Sequence, residues 1–328
     1  MSTRLSIFAA VTISLLSSAP AFALSATEIA GEYSGVVDNG SFETSGRFRL
    51  VVGKGGHGSV AVRLGNEPAC VVFIETEGWG KIISRPGGDP GMLLRLIFVT
   101  SPDGNPTVTG EVEEDGHTYT VEAQKSATTA GLAEGRHTFM VNKTAGGGDM
   151  GSGYARVSAN GRAIGALTVN GKRPVTFGGR ISPGQKLLIA RRLGGDGSSV
   201  VGTLLFGVTA TTGSGSFHSP ESNQALRVTG SPYDRGQHAI HNTESTFPLV
   251  VSLNGAAAGA ATWRTDGTIG GGSLLSKPLK IAVNRSTGSV TGKSGSDILR
   301  GVVLQNENRI AGLVNGIASF AVSPAAAQ

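Results

Sequence analysis

After its first two dozen residues the chain alternates apolar and polar residues in short runs, each ended by a glycine or asparagine turn. This two-residue rhythm constrains the fold more than any other feature. Successive side chains of a strand point to opposite faces, so a strand with one buried face reads apolar, polar, apolar. In Arg47-Phe48-Arg49-Leu50 charged and apolar residues alternate, and in Thr118–Ala123 the apolar set is Tyr119, Val121 and Ala123. Eight such runs lie between residues 32 and 124, at the spacing of a sandwich or barrel. A second series runs from 137 to 218 and, after an irregular stretch, from 248 to 322. Helical periodicity is nearly absent. The 51 glycines are about twice the usual share, which suits a chain that turns back often.

The reading is an all-β chain: two consecutive antiparallel β-barrel or sandwich units built from repeated hairpins, behind an N-terminal signal peptide. Arg4, the apolar run Leu5–Leu16 and the A-x-A site Ala21-Phe22-Ala23 define that signal over residues 1–23. The run is too short to span a bilayer, and no later segment approaches ~20 apolar residues. The chain is therefore expected to be secreted, periplasmic or at the cell surface. The first unit is placed at 24–126 and a small, polar linker at 127–134. The second unit follows at 135–323, with a long irregular connection at 219–246 and a tail at 324–328. The one cysteine, Cys70, lies in the apolar run Ala69–Ile74 and reads as a small core residue; it leaves no internal disulfide.

Gly53-Lys54-Gly55-Gly56-His57-Gly58 matches G-x-G-x-x-G, which raises a dinucleotide-binding loop. That fingerprint needs its third glycine to open a helix whose free N–H groups meet the phosphate. Here Gly58 opens Ser59–Leu64, which alternates as a strand, so the glycines read as a hairpin turn and no cofactor is expected. The hairpin recurs at Ser152–Val169 and Pro278–Gly292, which suggests internal repetition.

The stretches Gly151-Ser152-Gly153-Tyr154-Ala155-Arg156-Val157 through Val200–Phe206, Val228–Tyr233, and Leu299–Asn308 with Ala311-Gly312 carry a resemblance. They are similar to a glycine-rich all-β, barrel-like repeat module of large secreted and cell-surface bacterial proteins. That resemblance implies an exported barrel-like module and supplies no catalytic residue.

No G-x-S-x-G nucleophile motif occurs. His238 and His241 form H-x-x-H with Asp234 and Glu244 nearby, a weak zinc candidate read first as solvated loop polar residues. Glu111, Glu113, Glu114 and Asp115 cluster at a strand end, a pattern that glycosidases exploit only within a cleft. Gly194–Gly197 and Asp103–Asn105 read as turns rather than calcium loops. The irregular stretch, with Tyr233, Asp234, Arg235, His238 and His241, is where a ligand site is expected first. Net charge is +5 with scattered basic residues, which allows attraction to polyanionic surfaces but gives no specific nucleic-acid signature. The function expected is a non-enzymatic module for surface attachment, binding or scaffolding, its partner a cell-surface polymer or another surface protein. The alternatives are an outer-membrane-associated barrel and a secreted enzyme acting on polysaccharide.

Overall fold

The computed structural model describes residues 24–325 apart from 38–44, 65–69, 76–80, 84–91, 103, 115, 238–239, 241–245 and 265–267. The all-β expectation holds: two short helical turns and one single-turn helix accompany 24 antiparallel strands among the described residues. These strands form three eight-stranded sheets, not two.

Barrel 1 contains β1 (Gly31–Val37), β2 (Gly46–Val52), β3 (His57–Leu64), β4 (Cys70–Glu75), β5 (Lys81–Ile83), β6 (Met92–Thr100), β7 (Pro106–Glu114) and β8 (His117–Lys125). Barrel 2 contains β9 (Gly135–Lys143), β10 (Asp149–Val157), β11 (Arg162–Val169), β12 (Val175–Arg180), β13 (Lys186–Arg192), β14 (Ser199–Phe206), β15 (Thr211–Ser219) and β16 (Ser222–Pro232). Barrel 3 contains β17 (Thr246–Leu253), β18 (Ala256–Arg264), β19 (Ile269–Leu274), β20 (Lys277–Val283), β21 (Ser289–Ser294), β22 (Asp297–Leu304), β23 (Arg309–Val314) and β24 (Ala318–Pro324).

Each barrel is an up-and-down meander whose first strand pairs with its last: β1 with β8, β9 with β16, β17 with β24. Barrel 3 closes completely. Barrels 1 and 2 leave a seam, between β4 and β5 and between β12 and β13. In barrel 2 side chains cross that seam. Arg191 Nε donates to the Thr176 carbonyl at 2.9 Å, and Lys172 forms an ion pair with Asp196. The Lys172 ammonium and the Ser198 N–H and hydroxyl bond the Asp196 carboxylate and hold its pKa down at about 2. Gly194–Gly197 is thus a pinned turn.

The alternation in sequence decides what fills each barrel. Inward positions of barrel 1 include Tyr33, Phe48, Leu50, Val60, Val62, Val112 and Val121, all buried. The Tyr33 ring meets Phe98 of β6 edge-on across the interior, 5.6 Å between centroids. Barrel 2 packs Phe139, Val157, Phe177, Phe206 and Phe217; barrel 3 packs Phe247, Trp263, Leu279, Leu299 and Phe320. Each such side chain contributes about 1.5–3 kcal/mol on burial. The interiors are mainly apolar, while outward positions mix charged residues such as Arg47, Arg49 and Glu111 with exposed apolar ones such as Ile97 and Ile164.

Gly53–Gly56 is a hairpin turn, as expected, and His57 already opens β3. The Gly53 N–H donates to the His57 carbonyl at 2.8 Å, Gly56 takes φ +82°, and β3 runs straight on as a strand. The expected irregular region 219–246 differs. Ser222–Pro232 is β16, the strand that pairs with β9. Its polar lead and glycine hid a strand whose inward residues, Leu226 and Val228, are buried. The residues read as a linker, 127–134, pack against barrel 2. Ala127, Ala130 and Ala133 belong to the barrel 2 core, and the Ala127 N–H donates to the Ile181 carbonyl at 2.7 Å.

The first two barrels share an entry device. In barrel 1 a helix α1 (Ala26–Ile29) is closed by a reciprocal cap between Ser25 and Glu28 and buries Ile29. Gly31 (φ +149°) then admits the chain to β1, and the Tyr33 hydroxyl donates to the Ile29 carbonyl at 2.7 Å. In barrel 2 a 3-10 turn (Gly131–Ala133) buries Ala133, Gly135 takes φ +137°, and His137 Nε2 lies 3.0 Å from the Ala133 carbonyl. In both, a ring reaches back four residues to the carbonyl of a buried helical residue. Because a carbonyl only accepts, Nε2 carries the proton, and Nδ1 accepts from the Thr211 hydroxyl at 2.9 Å.

Burial lowers the His137 pKa and raises that of Tyr33 to about 12. The folded state therefore holds His137 neutral, while an unfolded histidine protonates near pH ~6.5. Its contribution is complete above that value and is lost as pH falls toward the lowered folded value. Barrel 2 should melt at progressively lower temperature between pH 7.5 and 5, and His137→Gln should flatten that dependence. Calorimetry of both proteins across this range checks it; an unchanged slope in the variant contradicts it.

Candidate functional site

Of the residues expected to form a site, Tyr233, Asp234 and Arg235 are described; His238 and His241 lie outside the described residues, as does Glu244. Tyr233 is buried and its hydroxyl donates to the Arg285 carbonyl at 3.2 Å. The Asp234 N–H donates to Gln305 Oε1 at 2.7 Å, and Gln305 Nε2 donates back to the Asp234 carbonyl at 2.9 Å. Arg235 is exposed. Tyr233 and Asp234 thus stand at the joint between barrels 2 and 3. Other bonds cross the same joint: the Thr138 hydroxyl to the Val303 carbonyl, and Arg136 Nε to the Ser286 carbonyl at 2.8 Å. Met140, Val302, Leu304 and Ala311 form a separate buried cluster between the two barrels.

Glu111 and Glu113 lie on the outer face of β7, where Arg95 Nη1 reaches both, at 3.7 and 3.5 Å. All three side chains are exposed on a convex surface, so the pair is a solvated ion-pair cluster rather than two carboxylates flanking a substrate. The side chain of Glu114 and all of Asp115 are outside the description.

The concave spaces among the described residues include a groove between barrels 1 and 2. It comprises two cavities of about 210 and 320 Å³ that share Gln124, Ser182 and Lys186. One wall is the outer face of β1 and β2; the other is β12 with β13. The alternation of Arg47-Phe48-Arg49-Leu50 is what builds it. Phe48 and Leu50 fill barrel 1, so Arg47 and Arg49 must point outward, into the groove.

Among the described residues five cations line the groove, Arg47, Arg49, Lys125, Arg180 and Lys186, against one carboxylate, Glu32. Glu32 is paired with Arg49 at 2.8 Å. Three of the others bond neutral carbonyls, which orient them without cancelling charge. Arg47 Nε donates to Ala190 at 3.0 Å, Arg180 Nη1 to Asn160 at 2.9 Å, and Lys125 Nζ to Glu28 at 2.7 Å. Lys186 Nζ has no partner among the described residues. The one aromatic residue of the lining, Phe48, is buried in the barrel core. Such a groove attracts anions by charge and offers no ring for stacking sugars or bases. The sequence reading recorded the arginine alternation only as strand periodicity; what it lacked was that β13, distant in sequence, closes the opposite wall.

No family model matches the chain, and no curated protein matches its sequence. Among solved structures it is similar to isotype 1 transferrin binding protein B from serogroup B Neisseria meningitidis, at 10% identity, 89% of this chain, 76% of that one and TM-score 0.24. A double mutant of that protein from Haemophilus parasuis Hp5 matches at 9% identity, 89% and 74% coverage and TM-score 0.21. An endo-1,5-alpha-L-arabinanase from Thermotoga petrophila RKU-1 matches at 12% identity, 83% and 82% coverage and TM-score 0.22. Neither a binding role nor a hydrolytic one is carried over from these likenesses.

The joint between barrels 2 and 3 also rests on two turns that meet. Asn170-Gly171 and Asn315-Gly316 both carry positive φ at each residue, the type I′ hairpin geometry. A Cβ on Gly316 would collide with the Gly171 backbone, whereas one on Gly255, in the equivalent Asn254-Gly255 turn, meets nothing within 4 Å. Gly255→Ala should therefore cost only the left-handed backbone penalty of about 1–2 kcal/mol. Gly316→Ala should cost that and also separate the two turns. Thermal unfolding of the two variants, with hydrogen exchange at residues 170–172, separates the effects.

Proposed function

We propose that this chain is an exported, non-enzymatic β-barrel module that holds an acidic surface polysaccharide in the groove between its first two barrels. The observation that carries the reading is five cations facing one already-paired carboxylate in that groove. The apolar barrel interiors support it by leaving outer surfaces as the places where a long ligand can lie. Residues 4–23 support export. A lipid-facing barrel requires the reverse polarity, with apolar residues outward. Here Arg47, Arg49, Arg95, Glu111 and Glu113 face outward, which favours an aqueous or polymer-bound setting.

Purified protein should retain polygalacturonate and not neutral dextran in affinity electrophoresis. Binding should weaken at least tenfold from about 50 mM to about 0.5 M salt, because screening shortens to a few ångström. Lys186→Glu and Arg49→Glu sit outside the core and should each weaken binding about tenfold with melting unchanged. Equal retention of dextran, or unaltered binding by both variants, would overturn the reading.

A further inference from the structure

A second cavity, of about 230 Å³, opens between barrels 2 and 3 where their apolar contact ends. Two cross-strand pairs form its walls. Ser152 of β10 sits opposite Thr168 of β11 on barrel 2, and Arg300 of β22 opposite Leu313 of β23 on barrel 3. The outward residues of β22 explain the position. Leu304 and Val302 are buried in the joint, Arg300 is half-buried, and Ile298 is 46% exposed. The joint is dry at one end and grades into a polar recess at the other. The abutting Gly171 and Gly316 turns form the recess floor and bring in Arg173 from the β11–β12 turn.

The chemistry of the recess is lopsided. Arg173 and Arg300 make no hydrogen bond or ion pair among the described residues, and no carboxylate lines the cavity. The nearest acid in sequence, Asp297, is already engaged, accepting from Asn315 Nδ2 at 2.9 Å and from Lys277 Nζ at 3.2 Å. The Asn315 side-chain oxygen, Oδ1, is likewise taken, by the Ile298 N–H at 2.8 Å. The Ser152 hydroxyl has no partner among the described residues although the residue is only 7% exposed. Two unpaired guanidiniums, two hydroxyls and an apolar ledge at Ile298 therefore face one small space. Guanidiniums take carboxylates through paired, charge-assisted hydrogen bonds, which suits them to planar anions.

We propose that this recess is a binding site for a compact organic carboxylate about the size of one sugar ring, with Arg173 and Arg300 holding the carboxylate. Ser152 and Thr168 meet the ligand's hydroxyl groups, and Ile298 covers its carbon face. The site shares no lining residue with the groove between barrels 1 and 2 and stands without it.

The test uses the full mature chain and three probes: D-galacturonate, D-galactose and oligogalacturonate, measured by titration calorimetry and by protein NMR shifts. Galacturonate should bind saturably and galactose should not. Arg173→Gln and Arg300→Gln should each weaken galacturonate at least tenfold, with melting temperature unchanged, and Lys186→Glu should leave it intact. Ser152→Ala, a smaller change in case an arginine variant fails to fold, should weaken it severalfold. Oligogalacturonate competing at the same site identifies a polymer residue as the source; binding of the free sugar alone identifies a small metabolite. The proposal is overturned if galacturonate fails to saturate the wild-type chain, if galactose binds as well, or if both arginine variants and Ser152→Ala bind undiminished.

Discussion

The pairing of first strand with last, repeated three times, is the interaction on which everything else in this molecule depends. β1 with β8, β9 with β16 and β17 with β24 each bend an eight-strand meander back on itself. Without these ladders the inward residues would have no interior to share, and the outward arginines no fixed facing partner. Closure also disposes of sheet edges, which otherwise recruit other strands. Barrel 3 has no edge, and barrel 2 covers its seam with Arg191 and the Lys172–Asp196 pair.

From this closure follows a division of labour between inside and outside. Each interior is filled by its own apolar cluster, so the barrels act as solid posts. Polar chemistry is left to the spaces between posts, where two outer faces that need not match meet. Between barrels 2 and 3 they match over Met140, Val302, Leu304 and Ala311 and then part. Between barrels 1 and 2 Arg47 reaches the Ala190 carbonyl across the groove, while Arg180 and Lys125 are oriented by carbonyls of their own barrels.

Much of the fold was legible because its information is local. Alternation in 47–50 and 118–123 gave strand faces, and the glycine turns gave the hairpins. Two strands were missed for opposite reasons. β16 opens on Ser222-Asn223-Gln224, three polar residues near a turn that carry no apolar signal. β19, Ile269–Leu274, holds three consecutive glycines, which leave the strand without alternating side chains; a Cβ on Gly272 would meet the Ala260 backbone and one on Gly270 the Arg264 side chain. Losing these two made two eight-strand sets look like two incomplete runs, and two barrels merged into one expected unit. The sites were less legible because they are non-local: Arg47 meets Ala190, and Arg300 shares its recess with Arg173. The expected ligand segment was marked by irregularity; of its residues Tyr233 and Asp234 bond Arg285 and Gln305 across the joint between barrels 2 and 3, and His238 and His241 lie outside the described residues.

The first-with-last pairing also sets where the polypeptide tolerates being broken. Every ladder joins strands drawn from one contiguous block of the chain, so a nick between blocks leaves all three closures intact. A nick or premature stop inside a block frees its opening strand, with alternate apolar residues and an unsatisfied row of amides and carbonyls. For β9, that edge would bare Phe139 and Val141 together, a ready template for self-association.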